Sequence, residues 1–505
     1  MPFHDRAYAI VTRERILLGL LVMAFAIEAY ALFFPAKTFL AGYLLGIPDP
    51  FSPRPALKPV YLLTLFAATA GILAAGIHRL PAVMKRTYAA AAAVFLLGVV
   101  LHVALIGSLR DGFGAFYKRA LDAGHGEFLV EAASIDDVIA TVRNYEAYVR
   151  DNPDRIFMAN KGPGVIVFFC GLKRVANSVR PALRPIAPDT ELLRSSLAKR
   201  RATLTGEQVD DLRYMLAMMF VVFPVLTYLP VFLIFWLGKT YGDARLGVLA
   251  AALYLFVPAT ALQVAHLDFA LFPLLVVAIL AAFAYGVARS RQGYIVVAAL
   301  VFALYFVMTL AAVSVAAALV AFLAIAAAER LRRGDSLRTV SLDTGRTGAV
   351  FAFVVLVSLV ASYLLFRFDP IERYTHARAI QRTWSGDEYN MFWVNSNLLS
   401  YALSFGIIYA VCIAIQQWRS MRRVFDGSSD VIDHLTLSWL CLLIGLVAFG
   451  RQHSETNRLW AFLNPIGCLI GARLLYDRVD AKRLWAPVFL VLASLLLARY
   501  RLNYF

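Results

Sequence analysis

Residues 88–111 read YAAAAAVFLLGVVLHVALIGSLRD. From Tyr88 to Ser108 there is no Asp, Glu, Lys or Arg, and then Arg110 and Asp111 arrive together. A helix rises about 1.5 Å per residue, so this run reaches across a hydrocarbon core of roughly 30 Å. Comparable apolar runs fill 16–35, 214–237, 268–288, 348–366 and 433–450. Shorter candidates at 60–77, 163–179, 246–263, 293–310, 312–327, 398–416, 458–475 and 484–498 bring the total to about twelve to fourteen passes. The expected fold is an all-α polytopic membrane protein.

The bulk composition of the 505 residues agrees: 61% are hydrophobic and 16% charged, with a mean hydropathy of +0.69. A soluble chain carries about a quarter charged residues, so a string of soluble domains is excluded. Disorder is excluded by the same apolar excess, and a membrane β-barrel by the continuity of the runs. The formal net charge is +16. In a membrane protein this implies positive-inside topology and anionic headgroups, not nucleic acid. Cys170, Cys412, Cys441 and Cys468 lie in or beside apolar runs without C-x-x-C spacing, as small buried hydrophobes do. The N-terminus mixes both charge signs ahead of a long apolar run and reads as a retained helix.

Charge bias orients the spans. Arg79, Lys85 and Arg86, the triplet Arg330, Arg332 and Arg333, and the triplet Arg419, Arg422 and Arg423 mark cytoplasmic connections. Segment 173–213, with nine Lys and Arg against five acids, is expected on that side too. Three stretches then fall on the opposite face: 109–162, 367–397 and 451–457. Arg289 and Arg291 require the inside, which makes one leg of 246–288 re-entrant or incomplete.

Loop 109–162 exceeds ordinary connection lengths, as functional loops do. It is expected to lie on the outer face as an amphipathic helix pair. One helix covers 115–123; the second is opened by the Ser134-x-x-Asp137 capping pattern and runs through Val149. Asp111, Asp122, His125, Glu127 and Glu131 give it an acidic cluster. A carboxylate at the membrane boundary serves as a general base or helps hold a divalent cation beside a phosphate; an ordinary acid paired with Arg110 is the alternative. Glycines flank His125 and Glu127 and favour a turn in which both face one ligand. Ala159-Asn160-Lys161-Gly162-Pro163-Gly164 precedes an apolar run and offers a cation and free backbone N–H groups to an anion.

Segment 367–397 supplies Arg373, His376, Arg378 and Arg382 with Trp384, Tyr389 and Trp393. Arginines clamp phosphates, and aromatics stack on sugars. RQHSETNRLWAFLNP (451–465) concentrates Arg451, Glu455 and Arg458 at the mouth of two spans, and His266 with Asp268 sits between two apolar stretches.

These motifs resemble the GT-C superfamily, integral membrane glycosyltransferases that use polyprenyl-phosphate sugars. Asp111 matches by position the acid that follows a helix at the start of the family's first long outer loop. Lys161-Gly162-Pro163-Gly164 is similar to the family's K-P-P or H-P-P-G-P element, with Gly162 in place of the first proline. PATALQVAHLD (258–268) and 451–465 look like two further family segments, the latter R-G-E-x-x-R-x-W-x-F-x-x-P. Gly112 stands where a second acid is usual, and 16–77 adds two helices. The resemblance covers 88–475 in scattered motifs. It implies an N-terminal unit 1–87, with a cytoplasmic tail and the two extra helices, and a core over 88–505.

The resemblance further implies a bacterial inner-membrane enzyme working on the periplasmic or exterior face. Its donor is a polyprenyl-phosphate sugar, and its acceptor a glycan or glycolipid. In that reading Asp111 is the base, and His125 and Glu127 orient substrate. Lys161, Arg373, His376, Arg382, Arg451 and Arg458 bind the donor phosphate. Magnesium or manganese at Asp111 and Asp122 is a candidate cofactor. A lipid-linked glycan polymerase or ligase, or a transporter or flippase, is the alternative.

Overall fold

The computed structural model describes residues 3–33, 69, 71, 87–108, 111–121, 125–152, 158, 161–199, 204–262, 265–385, 391–448 and 459–501. They form an all-α, multi-pass membrane protein. Among them six helices are long and apolar enough to cross a bilayer, or seven if one bent pair counts as a single span.

Helix α1 (Phe3–Phe33) is apolar but for charges at its start and Glu28, whereas α2 (Thr87–Gly107) carries no charged residue. Four short helices follow: α3 (Phe113–Leu121), α4 (His125–Ser134), α5 (Val138–Arg143) and α6 (Tyr145–Asp151). Next come α7 (Gly164–Ser178), α8 (Thr190–Lys199), α9 (Gly206–Tyr228) and α10 (Pro230–Tyr241). Then α11 (Ala244–Leu255), α12 (Phe272–Ala288), α13 (Gln292–Met308), α14 (Ala312–Arg332) and α15 (Leu337–Phe366) zigzag. The chain ends with α16 (Pro370–Ser385), α17 (Met391–Phe405), α18 (Ile407–Phe425), α19 (Val431–Ala448), α20 (Asn464–Arg478) and α21 (Trp485–Arg501). The expected span at 60–77 lies almost wholly outside the described residues.

Helix α15 shows why these sequences need lipid. Phe353, Leu356 and Leu364 are 66%, 60% and 71% exposed, and its apolar window buries none of its residues in the protein. Only hydrocarbon solvates such a surface without cost.

The direction of each helix follows from ring contacts. Phe113 meets Phe220 at 4.9 Å, His102 meets Tyr228 at 5.6 Å, Phe95 meets Phe232 at 5.2 Å and Tyr88 meets Phe235 at 5.7 Å. So α2 runs antiparallel to the 36-residue stretch of α9 and α10. That stretch is about 54 Å long, far more than a bilayer core. Its first half therefore overhangs the end of α2, and α3, α4, α7 and α8 pack on the overhang. The described residues of 109–162 thus include four short helices. The cap is Asp137, whose Oδ1 accepts from Ala140 N at 3.0 Å, while Ser134 Oγ turns back to Glu131 O. The expected helix through Val149 is broken at Asn144.

One topological expectation is overturned. Helix α7 does not cross. Phe168 contacts Phe223 at 6.3 Å and Asn177 donates to Asp211 at 3.0 Å, so α7 is antiparallel to α9 and climbs back toward the overhang. Segment 173–213 therefore shares a face with 109–162. Helix α10 then ends with Lys239 over the Tyr88 ring, at the other face. Helix α11 has only 12 residues, about 18 Å, so it is the incomplete leg expected in 246–288, and α12 brings Arg289 and Arg291 back to that face. Tyr285 meets Tyr294 at 4.6 Å and Phe272 meets Tyr305 at 5.3 Å, which makes α13 the antiparallel partner of α12.

Two faces result. The long-loop face holds α3–α8 and α16; Arg143 Nε donates to Leu365 O at 3.1 Å and joins the two groups. The basic-loop face holds short connections. There Arg332 donates to Val424 O and Phe425 O, and Arg483 pairs with Glu14 at 3.2 Å.

Candidate functional site

The glycines around Lys161 are set by close approach. A Cβ on Gly162 would lie 2.0 Å from Val307 O, and one on Gly164 would lie 2.8 Å from Met308 Cγ. The backbone can therefore press against the end of α13. Gly162 N donates to Met308 O at 3.0 Å, and Lys161 forms an isolated antiparallel bridge with Thr309. Only glycine permits this contact, which explains why a residue with a side chain is absent there.

This seat aims Lys161 inward. Its Nζ donates to Asp268 Oδ1 at 2.5 Å and lies 4.9 Å from the centroid of Phe272. Asp268 is buried and Lys161 partly so, at 5% and 12% side-chain exposure. The surrounding cleft is small, about 10 Å³ or roughly one water molecule, and apolar, lined by Phe128, Leu129, Val165, Phe169 and Leu267 among others. Asp268 is held there by a short turn, Leu267–Ala270, that begins at buried His266 and packs against α9 and α12. Packed edge-on against Phe272 at 5.3 Å, Tyr305 is fully buried, and its hydroxyl has no hydrogen-bond partner among the described residues. A buried hydroxyl is expensive to leave unpaired, so it marks a place that a ligand can satisfy.

Sequence reasoning found Lys161 and the His266–Asp268 pair as two separate features; the fold brings Lys161 onto Asp268. It missed Tyr305, Thr309 and Phe272, which read as ordinary residues of apolar runs.

The long loop is braced beside this cleft. Tyr145 OH donates to Met158 O at 2.9 Å and reaches Lys161 O at 3.4 Å. Burial pushes this phenol above its ordinary value, so it stays a donor. Glu131 accepts from Tyr148 OH. Glu127 is buried in the first turn of α4, close enough to Tyr145 to raise its phenol further. The expected turn at 124–127 is instead the start of that helix, where positions 125 and 127 diverge; the His125 side chain lies outside the described residues.

Arg373 and His376 are placed differently from expectation. Arg373 is fully buried over the Tyr145 ring at 5.7 Å and lies 3.4 Å from Glu146 Oε2. His376 Nδ1 lies 2.7 Å from the same carboxylate, and Arg150 pairs with Glu372 at 3.2 Å. These contacts fasten α16 onto α6. Asp111 is half-exposed and bound to Lys118 Nζ at 2.8 Å, so α3 supplies its partner. Asp122, Tyr389, Arg451, Glu455 and Arg458 lie outside the described residues, as do the Arg382 and Trp384 side chains. Trp460 is buried, and the turn Ala461–Leu463 packs on α12 and on the Asp268 turn.

Among the described residues no three His, Cys, Asp or Glu side chains converge as a metal-binding group.

No protein-family profile, no curated protein and no solved structure matches this chain.

Proposed function

We propose that the protein is a GT-C-type glycosyltransferase that moves a sugar from a polyprenyl-phosphate donor to a glycan or glycolipid acceptor. The observation that carries this reading is the Lys161–Asp268 pair in an apolar cleft beneath a long helical loop. A substrate that is half lipid and half phosphate needs both an apolar wall and a cation at its end. The basic-loop face is taken as cytoplasmic, because its short connections carry Arg289, Arg291 and the other clustered arginines. The cleft then opens to the non-cytoplasmic side, that of the periplasm in a bacterial inner membrane. The shorter helices α13, α19 and α21 are taken as crossings as well, and α11 as an incomplete one.

In this mechanism a carboxylate takes the proton of the acceptor hydroxyl. The hydroxyl oxygen bonds to the anomeric carbon as the carbon–oxygen bond to phosphate breaks, and configuration inverts. Polyprenyl phosphate leaves with the bonding pair. Lys161 neutralises it by turning from Asp268 to the phosphate, and Tyr305 donates to the same group. Asp111 at the loop entrance and Asp268 in the cleft are the two candidate bases, with Glu127 orienting substrate.

Three purified variants, K161M, D111N and D268N, separate these roles in a transfer assay with a polyprenyl-phosphate sugar. K161M should lose at least about a hundredfold in turnover. The base is whichever aspartate variant falls with it. Near-normal turnover in all three would sink the transferase reading.

One observation favours transport instead. Helices α17 and α18 meet at 108° around Gly406, and Glu28 accepts from Ile407 N at 3.1 Å and from Ser494 at that break. Broken helices with buried carboxylates are typical of transporters. E28Q should retain sugar transfer; loss of a measured flux with transfer absent throughout would favour the transporter.

A further inference from the structure

The basic-loop face contains a second cleft that the proposed reaction does not use. It lies between α1, α18 and α20, has a volume of about 480 Å³ and is open to its surroundings. Its polar rim is arginine only: Arg13 from α1, Arg419, Arg422 and Arg423 from α18, and Arg478 from α20. Its wall is aliphatic, formed by Ile16, Leu17, Leu20, Ile415 and Leu474.

The arginines divide into two sets. Arg419 pairs with Asp477 at 2.9 Å, and Arg423 pairs with Asp477 at 3.1 Å and Asp433 at 3.4 Å. Neighbouring Arg473 takes Asp430 at 2.9 Å. Those three aspartates are therefore already matched by three arginines. Arg13, Arg422 and Arg478 have no carboxylate within ion-pair distance among the described residues. Glu14, next to Arg13, is turned to Arg483. The cleft thus carries uncompensated positive charge on a frame that is itself salt-bridged and fixed.

Two further features locate it at a bilayer surface. Trp418 is 55% exposed with the Arg422 guanidinium stacked on it at 4.8 Å, and Ile16 is 58% exposed on the neighbouring helix. Exposed Trp beside cations is the pattern of a headgroup level. The aliphatic wall continues from the arginines along α1 and α18 into the membrane-spanning part.

We propose that this cleft seats an anionic membrane phospholipid, its phosphate on Arg13, Arg422 and Arg478 and its acyl chains along the α1 and α18 wall. Charge complementarity and the apolar wall together select this occupant: a free phosphate would leave the wall uncovered, and a zwitterionic lipid would leave the charge uncompensated. The site is at the opposite end of the helix array from the Lys161 cleft and does not depend on the proposed reaction.

The test uses the full chain in detergent, with dioleoylphosphatidylglycerol as probe and dioleoylphosphatidylcholine as comparison, read as retained lipid by native mass spectrometry. The wild type should retain phosphatidylglycerol in preference to phosphatidylcholine. R422Q/R478Q should lower phosphatidylglycerol affinity roughly 30-fold, since each surface cation contributes about fivefold. The Lys counterpart R422K/R478K should keep most of it, and R291Q, on the same face but outside the cleft, should change nothing. Neither altered arginine has an ion pair among the described residues, so a fold defect is not expected, and the Lys variant checks this. Equal retention of the two lipids, unchanged binding in R422Q/R478Q, or displacement by glycerol phosphate at the lipid's own concentration would each overturn the proposal.

Discussion

Gly162 shows how much one residue settles. Its missing Cβ lets Lys161 reach Asp268, because any side chain there meets Val307 O. G162A should lower stability by about 3 kcal/mol, as overpacking does, and should release Lys161 from its seat. Thermal unfolding and the transfer assay read the two effects separately. Tyr305 is the opposite case. Its buried hydroxyl is unsatisfied among the described residues, so Y305F should leave the protein as stable or about 1 kcal/mol more stable. Under the proposed function the same variant lowers turnover. A stability loss with unchanged turnover would make the hydroxyl structural only. Lys161 and Asp268 were both legible in the sequence as polar residues beside apolar runs. Their pairing was not, because 107 residues separate them and no local pattern relates the two.

Helix α7 shows the same limit for elements. Its sequence GVIVFFCGLKRVANS begins as apolar as a membrane span. Two things keep it on one side. It has only 15 residues, about 22 Å, and its second half carries Lys173, whose Nζ donates to Ala133 O and Ile135 O. Asp211 on α9 anchors that end, with Arg180 at 2.5 Å, Asn177 at 3.0 Å and Lys173 at 3.7 Å. D211A should cost about 3 kcal/mol, because it leaves partly buried cations unpaired. It should also raise hydrogen exchange in α7 before any other helix; uniform exchange across the array would show that the anchor is not local. The short loop helices were legible in number only roughly, since Asn144 divides what periodicity reads as one longer piece.

For the whole molecule, the alternation of helix directions places 109–213 on one face and the short basic connections on the other. In a C441S background, D136C and S195C should react with a membrane-impermeant maleimide from the same side of a sealed vesicle. S428C should react only after the vesicle is opened, or the reverse in inverted vesicles. Labelling of S195C together with S428C would restore α7 as a crossing. The composition and the apolar runs were enough to determine a helical membrane protein, because the bilayer rewards burial of apolar surface wherever it occurs along the chain. They also located the polar segments from which a site must be built. Which face each segment occupies, which carboxylate meets Lys161 and which arginines remain uncompensated were decided by tertiary structure alone. Those properties depend on contacts between helices far apart in sequence, and hydropathy records the preference of each residue for lipid without recording its neighbour.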